Sequence, residues 1–190
     1  MTSALGTMNT YTRRLSEITG VGIFVFLVIV LLLHLTQPEY DPFSQFVSEL
    51  ALGRFGDLLL VAFIGLSTAI AATAANIRAH NSLVFLPFLL ATAAACFLAA
   101  GIITLATSTQ THVWLVAAAF VSCGLSMYLL PRTVATFSGP QGYLASWGAV
   151  LAMCGATGLG GNIILSGVAQ RISALALLFW LSFVAWRLAR

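Results

Sequence analysis

Long apolar stretches alternate along the chain with short polar interruptions, and their lengths set the first expectation. Residues 18–35 form an apolar run of 18 residues. At roughly 1.5 Å of rise per residue this is about 27 Å of helix, and a hydrocarbon core of about 30 Å needs a run of that order. A second run covers 58–75. No charged residue occurs from 79 to 131, a stretch too long for one crossing and suited to two. Ser108, Thr109, Gln110, Thr111 and His112 supply the polar break, which places helices at 83–106 and 113–130. Pro131, Gly139 and Pro140 mark a connecting loop, and helices at 143–166 and 168–186 follow. Arg13 and Arg14 precede the first run, and its exit through His34, Thr36, Gln37, Pro38 and Glu39 lacks the small-residue signature of a cleavage site, so it reads as an uncleaved helix. The pattern predicts an all-α polytopic membrane protein, one integral domain over 1–190 built as a six-helix transmembrane bundle.

Composition narrows the class. Hydrophobic residues make up 60%, charged residues 7%, and the mean hydropathy is +1.02. A soluble domain carries about a quarter charged residues, so a soluble enzyme, a disordered tail and a secreted disulfide scaffold are excluded. All 8 basic residues are Arg. They form no run that could track a nucleic acid. Arg13, Arg14, Arg78, Arg132, Arg187 and Arg190 fall on one side of the six crossings, and Arg54 and Arg171 on the other. The positive-inside rule then predicts both termini in the cytoplasm. Arg171, near the start of the sixth helix, reads as snorkelling outward. Cys96, Cys123 and Cys154 lie inside apolar runs and match no disulfide or metal spacing.

Inside the spans the chemistry is sparse. No ionisable group lies near the middle of any of them, which argues against a proton relay, a charged channel filter or a haem held at mid-depth. Asn162 reads as the strongest polar group within a span, beside Ser122, Ser126 and Thr157. Small residues recur at four-residue spacing as Gly148, Ala152, Ala156 and Gly160 in the fifth helix and as Ala91, Ala95 and Ala99 in the third, which predicts close helix packing there. His80, beside Arg78 in a short inner turn, is placed to meet lipid phosphate.

The outer loop, 36–57, carries most of the remaining signal. Asp41 and Pro42 read as an N-cap and first helical position. Phe43, Phe46, Val47 and Leu50 fall on one face, and Ser44, Gln45, Ser48 and Glu49 on the other. Gly53 follows as a stop. This predicts an amphipathic helix of about three turns over 41–52, lying on the outer membrane surface. Glu39, Asp41, Glu49 and Asp57 belong to the same loop, and Glu49 and Asp57 are expected to pair with Arg54.

The run YDPFSQFVSELALGRFG after a first helix ending in His resembles the prokaryotic membrane family catalogued as domain of unknown function 998. That family has six predicted spans and a Pro-Tyr-Asp-Pro…Val-Ser-Glu-Leu-Ala-x-Gly stretch after the first. The layout matches over nearly the whole chain; the specific part is the outer loop. The chain departs from the pattern at Pro38, Glu39 and Tyr40, where Gly is expected before the Tyr. The resemblance implies a prokaryotic cytoplasmic membrane and carries no activity with it. The loop is also similar to the Pro-x-Ile-Ser-x-Leu-Gly loop of the eukaryotic six-span family that includes the DRAM and Sfk proteins, which implies lipid handling and membrane organisation.

Three functions compete. The first is a non-catalytic accessory subunit or lipid-organising bundle. Asp41, Ser48, Glu49 and Arg54 would then hold the outer face or contact headgroups, with membrane lipids and other membrane subunits as partners and no cofactor or metal. The second is a membrane-interface hydrolase or lipid-modifying enzyme. His34 and His112 lie at one depth with Glu39, Asp41, Ser44, Ser48 and Glu49, and a Ser–His–acid set can be drawn from them. The same groups could ligate a metal. Its candidate catalytic residues are His34, Asp41, Ser48, Glu49 and His112, although no Gly-x-Ser-x-Gly elbow and no His-x-x-x-His pair occurs. The third is a redox or pigment-associated subunit with His34 and His112 as axial ligands. The first leads, because the other two rest on residue types without a specific spacing.

Overall fold

A computed structural model describes residues 2–80 and 83–190, with side chains from Thr10 onward. Six helices carry it: α1 Thr2–Thr36, α2 Leu58–His80, α3 Phe85–Ile102, α4 Leu105–Thr133, α5 Pro140–Leu159 and α6 Ser166–Leu188. All six are long and apolar enough to cross a membrane, α1 over Thr10–Thr36. Among the described residues there is no strand. The chain is a multi-pass, all-α membrane protein.

Successive helices are neighbours, and α6 returns to α1, so the six close into a ring with α2 also touching α6. Six traverses put the start of α1 beside the end of α6, where the Ser16 hydroxyl donates to the Ala185 carbonyl at 2.9 Å. Six of the Arg residues lie at this basic end. The loop between α1 and α2 covers the opposite end, called here the loop end. Side chains facing away from the ring are apolar and exposed, among them Val21, Phe24, Phe88, Val121 and Leu151. Such a surface is stable only against lipid or another apolar surface.

Several boundaries differ from the hydropathy reading, each for a local reason. The break between α3 and α4 falls at Ile103 and Thr104, and the polar run Ser108 to His112 is taken into α4, which kinks at Ser108 (φ −161°, ψ 98°). Pro131 sits in the last turn of α4, not in a loop. α5 starts on Pro140, whose missing N–H costs nothing in a first turn. It stops at Leu159 because the chain turns through Gly161 at φ +79°, a conformation Gly adopts without a Cβ penalty. Asn162 therefore lies exposed in that turn and not within a span. Residues 81 and 82 of the expected inner turn lie outside the described residues.

The close helix approach is only partly where the small-residue spacing put it: Ala156 is buried, and a Cβ on Gly160 would stand 2.8 Å from the Ala169 Cβ of α6. Ala91, Ala95, Gly148 and Ala152 face outward. The tight crossing joins α1 to α2 through Gly22 and Gly65. A Cβ built on Gly65 would stand 2.8 Å from the Gly22 carbonyl oxygen, and one on Gly22 would meet the Gly65 carbonyl. Only backbones without side chains approach that closely. Nearer the basic end, Asn76 replaces Asn162 as the buried polar anchor. Its Nδ2 donates to Ser16 Oγ at 2.9 Å and to the Thr12 carbonyl at 3.2 Å. The expected second span stopped at 75, one residue short of it.

Candidate functional site

The loop between α1 and α2 folds as two pieces and not as one three-turn amphipathic helix. Asp41 closes the first. Its Oδ1 accepts from the Phe43 N–H at 3.0 Å, its Oδ2 from the Ser44 hydroxyl, and its own N–H donates to Gln45 Oε1 at 2.7 Å. The second piece is a 3-10 helix, Val47–Leu52. Its start is capped by Glu49, whose Oε1 accepts from the Phe46 N–H at 2.8 Å and whose Oε2 accepts from Gln45 Nε2 at 3.2 Å. Because the helix begins only at Val47, the faces differ from the α pattern. Val47, Ser48 and Leu50 are buried, while Phe43 and Phe46 are exposed. Gly53 does end the helix, and the space its missing Cβ leaves is filled by the Gln37 amide. Gln37 Nε2 in turn donates to the Leu50 and Arg54 carbonyls at 3.0 and 2.8 Å.

The first turns of α6 hold this loop down. Backbone carbonyls of Pro42, Phe43 and Gln45 crowd Gly167, where any Cβ would stand 2.5–2.7 Å from them. The Val168 N–H donates to the Phe43 carbonyl at 3.1 Å, which satisfies one of the donors a helix leaves open at its start. Gln170 Oε1 accepts from the Val47 N–H at 2.6 Å. Arg171 reaches furthest. Its Nη1 donates to the Gln45 and Gly167 carbonyls at 3.0 Å each, and its Nη2 donates to His34 Nε2 at 2.9 Å and to the Tyr40 hydroxyl at 2.6 Å. Arg171 is thus half-buried and bonded inward, which corrects the expectation that it snorkels into solvent.

The partners of His34 define its state. Arg has donors only, so Nε2 accepts and Nδ1 carries the proton, which it donates to the Val30 carbonyl at 2.6 Å. The two contacts fix His34 in one tautomer. The rings of His34 and Tyr40 meet edge to face at 5.1 Å. Burial pushes the Tyr40 phenol above its usual range, with the Arg171 hydrogen bond acting against that. Asp41, fully exposed, is held below the usual carboxylate range, first by the Ser44 hydroxyl and then by the Phe43 N–H.

His112 is elsewhere. It is 3% exposed, and its Nδ1 faces the Ala100 and Ile103 carbonyls at 2.9 and 2.8 Å. Those carbonyls belong to the last turn of α3 and the residue beyond it, so His112 serves as a cap supplied by the next helix. Its Nε2 is buried without a partner, and its ring stands edge-on to Phe63. Beneath the loop lies a cavity of about 40 Å³ lined by Phe26, Phe63, Phe97 and Phe120, with Ser48 and Gln170 as its polar wall. This is room for about two water molecules.

The residues expected to act together therefore divide. Asp41, Ser44 and Glu49 are engaged with the loop's own backbone and side chains. His34 joins Arg171 and Tyr40, and His112 joins α3. Neither His carries a hydrogen bond to Ser44, Ser48, Asp41 or Glu49 among those found for the described residues. Arg54 forms no ion pair with Glu49 or Asp57 there; it lies over the Phe55 ring at 4.7 Å, and an ion pair joins Arg13 to Glu17 at the basic end. No group of three or more His, Cys, Asp or Glu residues arranged to hold a metal occurs among the described residues. Gly167 and Gln170 escaped the sequence reading, and Tyr40 and Arg171 were named there without this role. A signal existed: Gln and Arg in the second turn of a span are costly against lipid and need a partner.

The sequence pattern of the family described as "Protein of unknown function (DUF998)" matches residues 20–187. No curated protein matches the chain, and no solved structure does.

Proposed function

We propose, for a chain that belongs to the DUF998 family of proteins of unknown function, a non-catalytic role in the membrane: a bundle that organises lipid or serves as an accessory subunit. One observation carries this reading. His34, Tyr40, Asp41, Glu49 and Arg171 are engaged in holding the loop, with Arg171 on His34, Tyr40 and the Gln45 carbonyl. A general base must reach the proton it abstracts, and His34 offers its one free lone pair to a guanidinium. The basic end faces the cytoplasm, and the clamped loop faces the far side of a cytoplasmic membrane. The excess of Arg at one end supports that orientation.

Turnover assays on proteoliposomes with phospholipid and acyl-ester substrates test the role. The expected result is no hydrolysis above empty vesicles. Turnover that a folded His34→Ala or Ser48→Ala variant loses would overturn it. Orientation is read by an impermeant maleimide on cysteines placed at Glu39 and at Ser138, both exposed, after Cys96, Cys123 and Cys154 are replaced. Labelling of Glu39→Cys from outside and of Ser138→Cys only after permeabilisation is expected; the reverse pattern inverts the topology.

A further inference from the structure

On the outer surface of α1 and α2 a groove of about 530 Å³ runs from the basic end to the Gly22–Gly65 crossing. Ile18, Val21, Val25, Val61 and Ile64 form its walls, and Arg14 and Glu17 stand at its basic end. We propose that this groove is a binding site for an anionic phospholipid of the leaflet at the basic end, its phosphate on Arg14 and one acyl chain along the glycine crossing. The proposal deepens the lipid-organising reading above and rests on it.

Three observations support this occupant. The first is depth. Arg14 lies four residues before Ile18, where the apolar run begins, about 6 Å further along the helix at 1.5 Å per residue. That is the headgroup layer, which adds about 5–8 Å to each side of the hydrocarbon core. From Ile18 to Val25 the groove descends a further ~10 Å, most of the depth of one leaflet. The second is shape. Gly22 and Gly65, whose backbones touch, form the floor of the groove, and its walls are apolar and open to lipid.

The third is charge. Glu17 is paired with Arg13 at 3.1 Å. Arg14 is exposed, and no hydrogen bond, ion pair or ring contact to it is found among the described residues. The mouth of the groove therefore carries one net positive charge beside an apolar channel. A zwitterionic lipid brings an ammonium that gains nothing from a neutralised Glu17. An anionic one brings only the phosphate charge that Arg14 complements.

Native mass spectrometry of the protein equilibrated with equal phosphatidylglycerol and phosphatidylcholine in detergent tests this. Wild type is expected to retain phosphatidylglycerol in preference. Arg14→Gln should lower that retention about fivefold, the worth of one Arg beside an anionic headgroup. Val21→Trp, which plugs the groove from its exposed side, should lower retention of both lipids. Arg190→Gln, at the same end but stacked on Trp186, should leave the preference unchanged. Equal retention by wild type and Arg14→Gln overturns the site, as does an equal loss from Arg190→Gln, which would mean a general charge effect. Efficient disulfide dimerisation of Val21→Cys in membranes, with the native cysteines replaced, also overturns it, because a second copy would then fill the groove. None of these outcomes touches the non-catalytic reading, which the hydrolysis assays decide.

Discussion

Arg171 and His34 meet across 137 positions of sequence, Nη2 to Nε2 at 2.9 Å. This single contact fixes the imidazole in one tautomer and ties the end of the first helix to the start of the last. Removing the guanidinium leaves His34 Nε2 and the Tyr40 hydroxyl oxygen without their donor, and leaves the Gln45 carbonyl with the Tyr40 hydroxyl alone. Arg171→Met is expected to cost about 2–3 kcal/mol, since hydrogen bonds from a charged group are worth about 1.5–3 kcal/mol. Arg171→Lys keeps the charge without the planar fork and should fall between. Thermal unfolding in detergent, followed by size-exclusion chromatography, measures both; an unchanged midpoint for Arg171→Met would remove the clamp from the account.

Glu49 and Arg54 should behave independently. Glu49 caps the 3-10 helix through the Phe46 N–H, and losing a cap costs about 1 kcal/mol. Arg54 is exposed and rests on Phe55, so Arg54→Ala should change stability by less than about 0.5 kcal/mol. Glu17→Ala, which breaks an exposed pair, belongs in the same small range. The double variant Glu49→Ala/Arg54→Ala should show the sum of the two single effects; a coupling above about 0.5 kcal/mol would mean the pair forms after all.

Acid should loosen the loop through Asp41. Its carboxyl is held below the ordinary value of 3.8 in the folded chain, chiefly by the Ser44 hydroxyl. A depressed carboxyl contributes stability above its unfolded pKa, and that contribution is lost as pH falls through the folded value. The window therefore lies below pH 3.8. Hydrogen exchange at the Phe43 amide, compared after correction for the intrinsic rate, should show protection falling in that window. Asp41→Asn should flatten the pH dependence; an identical profile in the variant would assign the effect to another group.

Two glycines in α1, two positions apart, should answer oppositely. Gly22→Ala drives a Cβ onto the Gly65 carbonyl and must separate α1 from α2, a backbone shift costing about 1–3 kcal/mol. Gly20→Ala meets nothing within 4 Å and should be neutral or slightly stabilising. Detergent melting midpoints of the two variants separate a packing requirement at one site from a general need for glycine in the helix.

How much of this was readable beforehand depends on distance along the chain. The six crossings are local facts, written in uninterrupted apolar runs, and the structure has all six. The loop was half legible. Asp41 caps a turn and Gly53 ends a helix, as their types suggest, yet Val47 and Leu50 turn inward while Phe43 and Phe46 do not. The α-periodic pattern assumes one helix over 41–52, whereas Phe43 and Phe46 lie before the 3-10 helix begins at Val47, so helical periodicity does not set their faces. Arg171 was misread because a long basic side chain near a span end has two solutions, outward to water or inward to carbonyls. Only the tertiary position of Tyr40 and His34 decides between them. Gly22 and Gly65 were missed for a related reason: neither belongs to a four-residue glycine spacing on its own helix, and the crossing exists only as a pair.

The latch between Arg171 and the first loop also has a temporal side. A ribosome adding roughly 5–20 residues per second delivers His34 and Tyr40 some ten seconds before the guanidinium that completes them. Throughout that interval the nascent cap has neither its carbonyl seat on Gly167 nor its donor. Closure of the far end thus waits for the last helix to enter the bilayer, and an insertion stalled before α6 would leave the earlier spans in place beneath an unlocked lid.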